Sequence, residues 1–385
     1  MNNVLDAQNP VELGDRLRHA RTQAGLTQAQ AANALQVART TLVALEKGQR
    51  RVRADELKAM ADIYGASASS LLRDSAVHIE LSPRFRTLNE SGDEDANQAA
   101  RLLNDLTAAE LELERLTGRK LKTNYPTERP ILPGDVKEQA EDLAMELRHR
   151  LGLGLAPIGD IVTLLEVEIG MRVFVRRLNP KISGLFIYDD EAGGCMLLNR
   201  NHPRERRALT AAHEFGHLVS SRRQPDILDD CSPQSREEKF ATAFALSFMM
   251  PAATVRRLFQ EHRQESGRFS PRHLILMAHT LNVSQEAMCR RLEDLKLLPA
   301  GTWDSLHDRG FSGQLVRQIL GDRSRDDELV VPPRLWMLAA EAYGKELLTE
   351  GQLAQLLRVN RIDLRHILDM LGPDDGQDLE SITLE

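Results

Sequence analysis

Between residues 12 and 74 apolar positions recur at helical spacing in short runs, each closed by a glycine or a tight turn. VELGDRLRHARTQAG is amphipathic and stops at Gly25, and Thr27 then offers a hydroxyl cap to LTQAQAANALQ. A tight turn at Gln36-Val37 leads into ARTTLVALEKG, stopped by Gly48; RADELKAMADIYG, stopped by Gly65, and SASSLL complete five short helices. Residues 75–94 are polar and irregular. Over 95–117 the pattern changes: Ala99, Leu102, Leu106, Ala109, Leu113 and Leu116 alternate steps of three and four, an a/d seam of about three heptads. Such a seam pairs two chains, which would make a homodimer, or docks one helix on its own core; the period is the same for both. NYPTERPILP (124–133) holds three prolines and reads as a linker.

Beyond it the pattern mixes two periods. DVKEQAEDLAMELRHRLGL and GDIVTLLEVEIG read as helices, and MRVFVRRL, SGLFIYDD and GCMLLNRN as strands. A long helix is expected from about Arg204 to Ser220. Another runs over 237–262 with Pro251 at a break, and PRHLILMAHTLN and SQEAMCRRLEDL form a closing pair. Helices on one face of a small sheet make this part α+β. The remainder is helical, and LTEGQLAQLLRVNRIDL (348–364) echoes LTQAQAANALQVARTTL (26–42), so the tail contains a second unit shaped like helix-turn-helix. The expected division is 1–75, a five-helix domain; 76–133, a helical linker with a dimerisation helix at 95–117; 134–306, the α+β domain; and 307–385, a helical region of regulatory or structural role. The fold class is mainly α.

Composition narrows the function classes. Aromatics are 4% and the formal net charge is −7, so contact with a polyanion has to come from a local basic patch. Three cysteines, Cys195, Cys231 and Cys289, make no disulfide framework and suit a reducing compartment. No run approaches a membrane span, and MNNVLDAQNP lacks a signal pattern. A cytoplasmic protein without membrane partners is expected.

The strongest chemical signal is HEFGH, His213 to His217. Residues four apart share a helix face, so the two imidazoles can meet one tetrahedral cation. Zinc acidifies the water it binds, and Glu214, one step round the helix, can take that proton as the water attacks a carbonyl. A third protein ligand is needed, and Glu237 and Glu238 open the next helix, where acids are also favoured with no metal present. Cys231, in the polar loop LDDCSPQS, is a candidate inhibitory fourth ligand, or a plain thiol. Cys195 and Cys289 read as core. No residue stands out for stabilising a transition state; Tyr188 and nearby arginines are possibilities.

HEFGH, followed by Glu-x-x-Ala-x-x-Phe-Ala-x-x-x-Met-Met-Pro, resembles the ImmA/IrrE family of zinc metallopeptidases, as do SGLFIY, the Leu-Asn pair before the zinc helix and NVSQEAMCRRLEDLKLL. The resemblance covers roughly 140–300. It implies a zincin-like fold and a third ligand at Glu238, three residues before the alanine, with Glu237 as the backup. Thr242 stands where that family usually has Asn or Asp, four residues after the ligand Glu.

Residues 12–72 resemble the Xre/Cro-repressor class of DNA-binding domains, on LTQAQAANAL and VARTTLVALEKGQR. In that class Gln28 meets a phosphate, while Arg39, Thr40 and Ala44 face base edges; Arg39 can bond a guanine with two donors. Arg39, Lys47, Arg50, Arg51 and Arg53 stand against Glu46 alone between Gln36 and Arg53, an excess that suits phosphates. The same module can instead serve to dock protein.

Together the two resemblances imply a regulatory zinc endopeptidase. It would cut a transcriptional repressor encoded nearby during stress or DNA damage, releasing mobile-element or anti-phage defence genes. The rival is a transcription regulator, antitoxin-like in one version, whose peptidase-like domain senses and cuts nothing.

Overall fold

The computed structural model describes residues 9–64, 71–72, 94–223, 226–229, 235–311, 316, 320 and 332–371. The chain divides into two compact units, Met1–Glu80 and Leu81–Glu385.

In the first unit four helices, α1 (Pro10–Gln23), α2 (Gln28–Ala34), α3 (Arg39–Glu46) and α4 (Ala54–Tyr64), close over Leu17, Leu42, Leu45, Leu57 and Met60. The Thr27 hydroxyl accepts from the Gln30 amide, and the Gln30 side chain returns the bond to the Thr27 backbone, which starts α2 cleanly. Gln36 takes φ 55° to make the turn into α3. The fifth expected helix, SASSLL, falls largely outside the described residues; Leu71 and Leu72 are helical.

The second unit is built on a four-stranded sheet: β1 (Arg172–Arg176), β2 (Ile182–Asp189), β3 (Gly193–Asn199) and β4 (Asp226–Asp229), in the order β1-β3-β2-β4. β1 and β3 run parallel; β2 is antiparallel to both β3 and β4. The expectation of helices on one face is corrected here. Val173, Val175, Phe186, Met196 and Leu198 enter the main core beneath α8 (Arg204–Ser220), whereas the alternate side chains of β1 and β3 turn toward α5 (Glu94–Thr117). Uninterrupted apolar runs such as GCMLL are the mark of strands covered on both faces. β4 is not expected from the sequence, where LDD reads as a loop.

The helix expected over 159–170 begins as α7 (Ile161–Leu164) and widens into a π-helical turn, Leu165–Ile169. The core is completed by α6 (Val136–Arg150), α9 (Arg236–Met249), α10 (Ala252–Ser266), α11 (Pro271–Thr280), α12 (Gln285–Asp294) and α13 (Thr302–Asp308). The helix breaks between α9 and α10 at Pro251, which cannot donate to the helix ladder.

The heptad seam of α5 is buried inside its own chain. The helix lies against β1, β2 and β3 on one side and against α14 (Pro333–Gly344) on the other. Of the two arrangements the seam allows, this packing is the helix docked on its own core. Arg172 of β1 bonds Glu110 and Glu114 of α5 at 2.7 and 2.6 Å, and Arg334 of α14 reaches the same Glu114 at 2.6 Å. The tail, α14 with α15 (Glu350–Leu356) and α16 (Arg361–Leu371), repeats the order of helices in α1–α3. Thr349 and Gln352 form the same capping box, and Arg358 turns the chain at φ 52° where Gln36 does so in the first unit.

Candidate metal centre

α8 is buried from Thr210 to Ser220, against the sheet on one side and α9 on the other. Its close approach to α9 depends on the glycine inside HEFGH: a Cβ at Gly216 would stand 3.0 Å from the Ala241 Cα. Around that contact Phe215 packs edge-on to Phe244 and Phe248, with ring centroids 5.6 and 5.5 Å away. The contact brings the first turn of α9 over the two imidazoles.

His213 Nε2 and His217 Nε2 lie 3.1 Å apart, 3.3 and 3.2 Å respectively from the two carboxylate oxygens of Glu238. All three residues offer ligand atoms within 4.8 Å of one another. Donors at about 2.0–2.1 Å from one tetrahedral ion are separated by about 3.3 Å. The spacing and the N, N, O donor set therefore fit zinc. Glu237 is not part of the cluster. Glu238 occupies the third position of α9, where the Ser235 hydroxyl already takes its backbone amide, so its carboxylate is free to turn to the histidines rather than to close a capping box.

The outer nitrogens are also engaged. His217 Nδ1 is 3.2 Å from Ser221 Oγ, and His213 Nδ1 is 3.4 Å from Thr242 Oγ1. When each Nδ1 carries the proton and gives it to a hydroxyl, both Nε2 lone pairs face the centre. Thr242 thus meets the ring that the family's Asn or Asp would be expected to orient. Burial holds the His213 imidazole below its usual pKa, in the neutral form that can ligate. Burial opposes ionisation of Glu238, but its bonds to the two imidazoles outweigh this and hold its carboxyl below the ordinary glutamate range.

Glu214 is fully buried, on the sheet side of α8. Strand β2 passes it at Gly184, where a Cβ would meet the Thr210 methyl at 2.7 Å and the Glu214 carboxylate at 3.1 Å. Sequence reasoning found the two histidines and Glu214 but not Gly184 or Ser221. The Gly in SGLFIY was a visible signal for close backbone approach. Nothing local marks Ser221. Tyr188, considered above for stabilising a transition state, makes a ring contact with Tyr125, centroids 6.1 Å apart, and both rings flank the Arg222 guanidinium. Cys231 lies outside the described residues; Cys195 and Cys289 are buried.

In the first unit Arg39, Thr40 and Lys47 are exposed along α3, and Ala44 is half-buried. Gln28 turns inward, donating to Glu46 at 2.9 Å, and Glu46 also holds Arg21 in a buried ion pair. Arg50 is tied to Glu56 at 2.8 Å. The exposed cationic edge of α3 is therefore narrower than the sequence count suggested.

Among the described residues no helix is long and apolar enough to cross a membrane. No curated protein matches the chain. Residues 12–73 match the family model described as a helix-turn-helix domain, and residues 167–293 match that of the IrrE N-terminal-like domain, a peptidase family. The second match spans the sheet, α8, α9 and both candidate histidines. The chain therefore carries an IrrE N-terminal-like peptidase-family domain, preceded in sequence by a helix-turn-helix domain.

Proposed function

We propose that the chain is a zinc-dependent endopeptidase that makes a limited cut in a transcriptional repressor or similar regulatory partner during stress or DNA damage. The cut would release mobile-element or anti-phage defence genes. The observation that carries this reading is the convergence of His213, His217 and Glu238 on one point, with the buried carboxylate of Glu214 next in sequence.

His213, His217 and Glu238 would hold the ion, which when bound acidifies water and polarises a carbonyl. The remaining work falls to the chain. Glu214 takes the proton of the attacking water and returns it to the leaving amine. Thr242 and Ser221 keep the imidazoles in the ligating tautomer. The exposed edge of α3, with Arg39, Thr40 and Lys47, would bring the molecule to DNA, with Arg39 suited to a guanine edge.

The test is incubation of the purified chain with the repressor encoded beside its gene. Wild-type protein loaded with zinc should yield discrete fragments; a chelator should stop the reaction. Glu214→Gln should retain the metal and cut nothing. A rival reading, a regulator whose peptidase-like domain only senses, predicts that Glu214→Gln leaves the regulatory output unchanged. A buried carboxylate beside the ligand histidines is not needed for sensing, which favours the peptidase.

A further inference from the structure

The proline-rich segment that reads as a linker is fastened to both helices that bear the metal-centre residues. Tyr125 anchors it at the sheet, donating to the Gly170 carbonyl and accepting from the Gly194 amide, both at 2.9 Å. The Arg129 amide then bonds the Val219 carbonyl at 2.8 Å, in the last turn of α8. Arg222, just past that turn, returns the contact three times. Its amide donates to Glu128 at 3.0 Å, its Nη2 to the Pro126 carbonyl at 2.6 Å, and its guanidinium lies 5.4 and 5.3 Å from the ring centroids of Tyr125 and Tyr188. At the far end Arg236, in the first turn of α9, donates to the carbonyls of Leu132 and Gly134.

The attachment points sit beside the residues that matter. Arg222 follows Ser221, whose hydroxyl meets His217 Nδ1. Arg236 precedes Glu238 by two positions. One short segment thus holds the end of the helix that carries both imidazoles and the start of the helix that carries the carboxylate. Prolines suit it to this, since they lower the freedom of an extended strand while leaving its carbonyls available as acceptors.

We propose that residues 124–134 act as a strap that sets the register of α8 against α9, with Arg222 and Arg236 as positioning residues for the metal ligands. This rests on the zinc reading above. Arg222 acts through Ser221: it fixes the turn that presents the hydroxyl, and the hydroxyl fixes the His217 tautomer.

The test uses the full chain with zinc and cobalt(II) alone. Zinc affinity is measured by competition with a chromophoric chelator, and the visible spectrum of the cobalt form is recorded, at temperatures where circular dichroism shows the apo protein folded. Arg222→Met should weaken zinc binding about 10- to 100-fold, the range for residues that orient metal ligands, and alter the cobalt bands. Arg222→Lys, which returns a cation to the two rings, should recover part of the loss. Arg236→Met attacks the opposite end of the strap and should act in the same direction, so an unfolded Arg222 variant does not remove the test. Folded variants with wild-type zinc affinity and an unchanged cobalt spectrum would overturn the strap. A wild-type chain that takes up neither metal would instead overturn the zinc reading beneath it.

Discussion

At the level of single residues, the centre is a set of short-range decisions. The imidazoles are close because their side chains are four apart on a helix, and no tertiary contact is needed for that. Their tautomers are a different matter, since each depends on one hydroxyl, Ser221 or Thr242. Ser221→Ala and Thr242→Val should each lower zinc affinity by roughly tenfold or more, measured by chelator competition, with little change in apo stability. Gly184→Ala should separate metal binding from catalysis. Its methyl would press on Thr210 and the Glu214 carboxylate, so turnover should fall sharply while zinc content stays near that of wild type. Equal loss of metal and turnover would count against Glu214 as the proton carrier.

Among the elements, the decisive contact is α8 on α9. It is close because Gly216 faces Ala241 and tight because Phe215 interlocks with Phe244 and Phe248. Gly216→Ala adds a methyl where the neighbouring backbone leaves 3.0 Å. Overpacking of that kind should cost about 1–3 kcal/mol in urea denaturation, and zinc affinity should fall with it, because the Glu238 turn is lifted from the histidines. The three candidate ligands were not equally legible. His213 and His217 announce themselves through spacing. Glu238 sits in a helix start where acids are common, and the ImmA/IrrE resemblance, not any local pattern, singled it out from Glu237. The amphipathic seam of α5 was visible, but its partner was not, because an apolar stripe has the same period whether it meets a second chain or its own sheet.

For the second unit as a whole, the buried charges of α5 join the sheet to the C-terminal helices. Arg334 bonds Glu110 and Glu114 through its side chain, and its amide bonds Glu166 at 3.0 Å. Arg334→Met should cost about 3 kcal/mol, read by chemical denaturation, because it strips a cation from acids that remain buried. Glu166 adds a pH dependence. Burial, helped by the charge of Glu110, raises its pKa from 4.5 to about 8 against the opposing pull of the Arg334 amide and cation. A folded-state pKa above the unfolded value gives stability that is complete below about pH 4.5 and is lost as pH climbs through about 8. Its contribution to the slope is at most about 1.4 kcal/mol per pH unit. Glu166→Gln cannot ionise, so the variant should gain on wild type progressively across that window, and parallel stability curves would refute the assignment.

What the chain settles by itself is whatever depends on neighbours within a turn or two: the helix caps at Thr27 and Thr349, the paired histidines, and the helix-turn-helix geometry with its echo near the end. What only folding decided is every relation between distant segments. These include the carboxylate chosen to face the histidines, the hydroxyls behind them, the second covered face of the sheet, and the conversion of a proline-rich stretch into a fastening. The reason is physical. Local geometry follows from backbone periodicity and side-chain reach, which the order of residues encodes directly. Long-range contacts follow from how apolar faces and buried charges are satisfied all at once, and a one-dimensional pattern leaves several solutions open.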